Sequence, residues 1–194
     1  MKMQDYDSKD GKKVWLSRSE VDTLLDVADG TEQRVAFALG ARCGLRVAEV
    51  VDVTPDDVVD TEVGKFLRVW EGKGSKYRET PIPTDLAATI AAVGDYRDEP
   101  SDTPVVDRTT RTVRNWVTKA GEQLVEETED VGWSFLGPHD LRRTWGTLLV
   151  GAEVEPGLVM EWGGWEDWET FREHYLGAYS LEAQARGMEK IDWL

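Results

Sequence analysis

In Pro138-His139-Asp140-Leu141-Arg142-Arg143 a histidine and an arginine stand three residues apart. On a helix that spacing turns both side chains the same way, so they can converge on one ligand. A guanidinium fork matches two oxygens of a phosphate or carboxylate, and an imidazole beside it can move a proton near neutral pH. Arg46, in Gly44-Leu45-Arg46-Val47-Ala48-Glu49, falls at a helix start among small and apolar neighbours. Lys73 sits in Gly72-Lys73-Gly74-Ser75-Lys76, a glycine-rich hairpin tip from which a lysine can reach an anion. Trp162-Gly163-Gly164-Trp165 and His174-Tyr175 add aromatic groups near the C-terminus. Singly, each feature has a plainer meaning: a charged helix surface, a solvated hairpin, or aromatic core packing.

The elements that must position these residues follow from periodicity. Ser17-Arg18-Ser19-Glu20 has the pattern of a capping box, and Val21, Leu24, Leu25 and Ala28 recur at helical spacing behind it. A second helix is predicted over Glu32–Cys43, ending at Gly44, and a short third over Leu45–Val51. The period then changes. Val58-Val59, Phe66–Trp70 and Arg78–Ile82 read as three short antiparallel strands, punctuated by Gly64 and the Gly72–Ser75 turn. Helices resume over Asp85–Val93, from Thr109 or Thr110 to Glu127, over Pro138–Val150, Pro156–Trp162 and Trp168–Tyr175. Pro138 suits a first helical turn. Residues 1–14 read as a flexible, solvated tail. The fold class expected is α+β, mainly α-helical, with one small three-stranded antiparallel sheet.

Composition bounds the function. A chain of 194 residues makes about one domain and buries a sizeable core without staples. Cys43 is the one cysteine, and the histidines are His139 and His174, which excludes an internal disulfide and disfavours a zinc or histidine-rich metal site. No apolar run reaches the roughly 18 residues of a membrane span, and the polar first residues lack an apolar signal core; a cytoplasmic protein is expected. The net charge of −15 points away from nucleic acid at first sight. Nine lysines beside fourteen arginines fit another cause, a salt-saturated cytoplasm in which surface carboxylates maintain solubility. The basic residues also cluster, near 65–78, 108–119 and 142–143.

Taken together, the arginine of GLRVAE, the hairpin lysine, HDLR, Trp165 and a tyrosine some ten residues later resemble the tyrosine recombinases, the phage integrase and Xer-type superfamily. The resemblance covers residues 15–180, the extent of that family's catalytic domain, with 181–194 a C-terminal tail. It implies the family's catalytic-domain fold. With the acidity, it suggests a member from a haloarchaeon or one of its viruses or mobile elements. By position, Arg46, Lys73, His139, Arg142, Trp165 and Tyr175 match the catalytic set, and Glu49 matches a buried carboxylate that holds the Arg46 helix. One departure concerns the nucleophile. The family spacing from Trp165 falls on His174; Tyr175 is one residue late and Tyr179 five. Tyr175 is preferred. A second departure is at the front, where about 15 residues stand in place of the family's DNA-clamping domain. The alternatives are a catalytic-domain fragment, which is preferred, or a short member that relies on a partner.

The activity implied is site-specific cleavage and rejoining of DNA strands through a 3′-phosphotyrosyl intermediate, with no metal and no cofactor. The partner implied is double-stranded DNA bearing a recombination site. The assembly implied is a homotetramer in the synaptic complex and a monomer or dimer when free, with a C-terminal tail that either exchanges between protomers or packs on its own domain. Lys76, Arg78, Arg108, Arg111, Arg114 and Arg143 are the expected DNA-binding residues. Two other functions share part of the pattern: a type IB topoisomerase-like relaxing enzyme, and a non-catalytic DNA-binding regulator derived from an integrase.

Overall fold

The computed structural model of the protein describes residues 1–6, 10–70, 77–97, 100–174 and 181–191. Its first element departs from the sequence expectation. Strands β1 (Lys2–Asp5) and β2 (Lys12–Trp15) pair antiparallel, with Met3 opposite Val14. The described residues of 1–14 are therefore paired in a hairpin-like ladder and not a free tail. Val14 and Trp15 are buried. The outer edge of β2 is satisfied by side chains of a distant helix: Val14 N–H donates to Asp140 (3.1 Å), and Leu16 N–H to Thr144 Oγ1 (3.0 Å). A four-residue strand with two lysines shows no alternation to read. What fixes it is the set of acceptors that another part of the chain supplies.

Helix α1 (Arg18–Asp26) starts with the expected capping box, in which Glu20 N–H donates to Ser17 Oγ and Ser17 N–H to the Glu20 carboxylate. Helix α2 (Thr31–Cys43) is buried along nearly its whole length and forms the centre of the core. It ends at Gly44, whose φ of 71° is left-handed; a Cβ there would also overlap the Trp145 ring. Arg46 caps the short α3 (Val47–Val50).

The sheet has the expected order and sense. Strands β3 (Val58–Thr61), β4 (Gly64–Val69) and β5 (Arg78–Pro81) are antiparallel in the order β3-β4-β5, with Val59 opposite Phe66 and Val69 opposite Arg78. Helices α4 (Thr84–Arg97), α5 (Thr110–Thr128), α6 (Pro138–Gly151), α7 (Pro156–Gly163) and α8 (Trp168–His174) follow near their expected positions. Two hydrophobic clusters result. The larger joins α1, α2, α4, α5 and the sheet around Leu24, Phe37, Leu67, Ile90, Val117 and Leu124. The smaller, Trp145, Val159 and Phe171 with Trp162 and Trp165 against it, ties α6, α7 and α8 together.

Residues 181–194 were expected as a tail. Their described part is a helix, α9 (Leu181–Glu189), lying against the turn after α6 of the same chain. Arg186 donates to Glu153 (3.1 Å) and to the Gly151 carbonyl (2.7 Å), and Lys190 to Glu153 (2.7 Å). Among the described residues, no helix is long and apolar enough to cross a membrane.

Candidate active site

Glu49 is the carboxylate around which the site is built. It points into the core from α3 and is 6% exposed. The Arg46 backbone N–H and its Nη1 each donate to Glu49 at 2.6 Å. From the sheet, Arg78 adds a two-pronged contact, Nη1 to Oε1 at 2.9 Å and Nη2 to Oε2 at 2.8 Å. Burial works against the charged form of Glu49. The Arg78 hydrogen bonds and charge, with the Arg46 amide, outweigh it and hold the carboxyl at about 2. Arg46 itself stays 40% exposed while tethered to Glu49.

Arg142 comes to the same place from α6. It is fully buried. Its guanidinium donates to the Gly44 carbonyl, two residues before Arg46, and to the Gly163 carbonyl (2.5 Å), and lies 4.3 Å from the Trp165 ring centroid. Trp165 is held in turn by tilted contacts with Trp145 (5.9 Å) and Phe171 (4.8 Å). The turn carrying it depends on Gly164, which ends α7 with φ 67° and brings its Cα against Arg78, where a Cβ would stand 2.9 Å from Cδ. His139 is exposed on the first turn of α6. The fold thus brings together Arg46 at the start of α3, Arg142 of α6 and Trp165 in the turn after α7.

The remaining expected site residues divide three ways. Lys73, Lys76, Tyr175 and Tyr179 lie outside the described residues. Strands β4 and β5 lead to the segment containing both lysines, and α8 ends at His174, directly before Tyr175. Arg111 and Arg114 are exposed on the first turns of α5, as a surface contact requires. Arg108, also half-exposed, forms an ion pair with Glu32 (3.0 Å), a partner distant in sequence.

Arg78 and Arg143, expected to face DNA, are inside the protein. Arg78 is 7% exposed and Arg143 1%. Each is drawn in by a buried carboxylate, Glu49 for the first and Asp140 for the second. Arg143 also donates to the Tyr6 hydroxyl (3.3 Å) and stands over the Trp15 ring (5.5 Å). Burial pushes the Asp140 carboxyl up, against the pull of Arg143 and of the Val14 and Gly137 amides. The signal for Arg78 was present in the sequence. Residues 78, 80 and 82 share one side of the strand, and Thr80 and Ile82 are inward residues. An arginine on that side needs a buried carboxylate, and Glu49 was already identified as one.

An exposed cation beside a second, sheltered one is an arrangement suited to a phosphate group. Among the described residues, no group of histidine, cysteine and acidic side chains could hold a metal. The phage integrase family model matches residues 14–181, and the chain belongs to that family. Among curated proteins it is similar to tyrosine recombinase XerA of Thermococcus kodakarensis, 33% identical over 150 residues covering 75% of this chain and 52% of the relative. Similarity extends to tyrosine recombinase XerC of Chromobacterium violaceum, 26% identical over 163 residues, covering 78% of this chain and 49% of that protein. The chain spans about half the length of these curated relatives. Its fold matches the crystal structure of XerA recombinase with a TM-score of 0.72 at 19% identity, over 92% of this chain and 65% of that one. The Tn1549 transposon integrase in complex with a circular intermediate DNA matches with a TM-score of 0.68 at 18% identity, over 96% and 68%.

Proposed function

We propose that the protein is the catalytic part of a site-specific DNA recombinase that cuts and rejoins strands through a 3′-phosphotyrosyl intermediate. The observation that carries this reading is the convergence of Arg46 and Arg142 on the Glu49 carboxylate and the Gly44–Arg46 turn, with His139 three residues before Arg142 on α6. Fixed cations at that place offset the charge that develops on the non-bridging oxygens during attack on phosphorus. Arg46 is the more exposed of the two and meets the phosphate from the solvent side. Arg142 has five N–H donors, and exchange of a glycine carbonyl for a phosphate oxygen brings it into the reaction.

Tyr175 is the nucleophile in this reading. Its oxygen forms the new P–O bond as the bond to the 5′-oxygen breaks, which makes the intermediate covalent and conserves the phosphodiester energy. His139 receives the phenolic proton, and Lys73 delivers a proton to the departing 5′-oxygen. Trp165 packs over Arg142, and its indole N–H can only donate. Attack by a second 5′-hydroxyl reverses the chemistry on a new strand. The DNA partner, a homotetrameric synaptic assembly and a salt-rich cytoplasm belong to the same proposal; the recombinase relatives and the DNA-bound Tn1549 integrase support the first of these.

The test is covalent trapping. A pool of random-sequence duplexes, each nicked near one end so that the cut strand diffuses away, is incubated with the protein at high salt. A protein–DNA adduct stable to denaturant is expected, absent with Tyr175→Phe. No adduct from the wild type at any salt concentration overturns the reading, and an adduct from Tyr175→Phe reassigns the nucleophile.

A further inference from the structure

Arg78 ties together three parts of the site that are far apart in sequence. Its two terminal nitrogens hold Glu49, the carboxylate that also holds Arg46. Its Nε donates to the Trp162 carbonyl at 3.0 Å, in the last turn of α7, beside Gly163, the acceptor for Arg142, and just before the turn to Trp165. Its aliphatic stem occupies the space that a side chain at Gly164 would need. It also begins β5, the strand that follows the segment containing Lys73 and Lys76.

The charges show what this achieves. Glu49 has one negative charge and lies within 2.6 Å of Arg46. Without Arg78, more of that charge would fall on Arg46 and weaken its pull on an incoming anion, because Arg142 acts on Glu49 through its charge and lowers its carboxyl less than Arg78 does. Arg78 supplies a further cation from the buried side and leaves the exposed one with excess positive charge. We propose that Arg78 is a positioning residue for phosphodiester cleavage: it shares the charge of Glu49 so that Arg46 stays cationic toward the phosphate, and it fixes the turn that orients Arg142 and Trp165. It touches no substrate, being buried. The inference rests on the recombinase reading above.

The experiment uses the full chain and nicked duplexes recovered with the wild type from the random pool. Duplex affinity and the single-turnover rate of adduct formation are measured separately for Arg78→Lys, Arg78→Met and the double variant Glu49→Gln with Arg78→Met. Far-ultraviolet circular dichroism and urea midpoints are recorded in the same salt. For Arg78→Met the cleavage rate is expected to fall about 100-fold, with affinity changed less than about threefold. Arg78→Lys keeps the charge without the fork and is expected between the two. The double variant removes the unshared carboxylate and is expected to recover about tenfold of the loss. A scissile methylphosphonate, which lacks one phosphate charge, is expected to shrink the Arg78→Met defect, an effect that loss of folding cannot produce. If the wild type traps DNA while a folded Arg78→Lys or double variant cleaves at the wild-type rate, or if methylphosphonate leaves the defect unchanged, the role for Arg78 is wrong. If the wild type traps nothing, the recombinase reading fails and this inference with it.

Discussion

Arg78 and Glu49 are joined by two hydrogen bonds of 2.9 and 2.8 Å in the interior, 29 residues apart in sequence, and the side chains of both are 6% exposed. The pair links the sheet to the helix that Arg46 caps. Removing one partner of such a buried pair leaves the other charge unmatched, so the two behave as a unit.

The pH dependence of stability follows from this pair. The Glu49 carboxyl lies at about 2 in the folded chain against 4.5 for the free group. A depressed carboxyl adds stability that is complete above its unfolded value and is lost as pH falls through its folded value. The contribution is therefore full above about pH 5 and gone near pH 2, and its size is on the order of 3 kcal/mol. Urea unfolding from pH 6 to pH 2.5 checks this. Glu49→Gln should be less stable than the wild type at pH 6, and the gap should close steadily toward acid. A gap that is constant with pH contradicts the assignment.

The N-terminal hairpin is expected to be an integral part of the domain. Asp140 accepts from Val14 N–H and Gly137 N–H and pairs with the buried Arg143, all from the first turn of α6. Asp140→Asn removes the buried carboxylate that pairs with Arg143 and should cost about 3 kcal/mol. Asp5→Asn, which breaks a surface pair with Lys12 at an aspartate 81% exposed, should change stability by less than about 1 kcal/mol. Urea midpoints for the two variants give the comparison. Equal effects would mean that the hairpin is not held through Asp140.

Gly44 and Gly151 should respond to alanine in opposite directions. At Gly44 the left-handed φ and the overlap with Trp145 act together, and Gly44→Ala should destabilise by more than about 2 kcal/mol. At Gly151, the last residue of α6, nothing stands within 4 Å of a Cβ, so alanine there should be neutral or stabilise by up to about 1 kcal/mol. Thermal unfolding distinguishes them, and a neutral Gly44→Ala would show that the α2–α3 turn can relax.

The arginines at the start of α5 should differ in their effect on DNA affinity. Arg108 is engaged by Glu32 at 3.0 Å, whereas Arg111 and Arg114 are exposed on the helix. In fluorescence anisotropy with a mixed-sequence duplex, Arg111→Gln and Arg114→Gln should each flatten the log-affinity against log-salt slope by about 1. Arg108→Gln should have a smaller effect, and Glu32→Gln should strengthen binding by freeing Arg108. Slopes that do not change would place the duplex elsewhere.

The sequence was informative wherever the determinant was local. Ser17 and Glu20 lie three apart, so their capping box is fixed by neighbours. Glycine and strand-forming residues marked the three-stranded sheet for the same reason. The GLRVAE and HDLR motifs carried the family resemblance because their spacing within a helix survives without knowledge of the rest.

What only the tertiary structure decided depended on partners distant in the chain. Charge alone gave Arg78 and Arg143 to a surface, and buried carboxylates at Glu49 and Asp140 drew them inside. Strand β2 formed because Asp140 and Thr144, some 126 and 128 residues later, accept its outward N–H groups. Residues 186–190 joined their own domain because Glu153 and the end of α6 offered partners. A periodic pattern reports which face of an element is apolar. It does not report which polar group meets which, because a buried charge is stable only beside a counter-charge and the fold alone brings the two together.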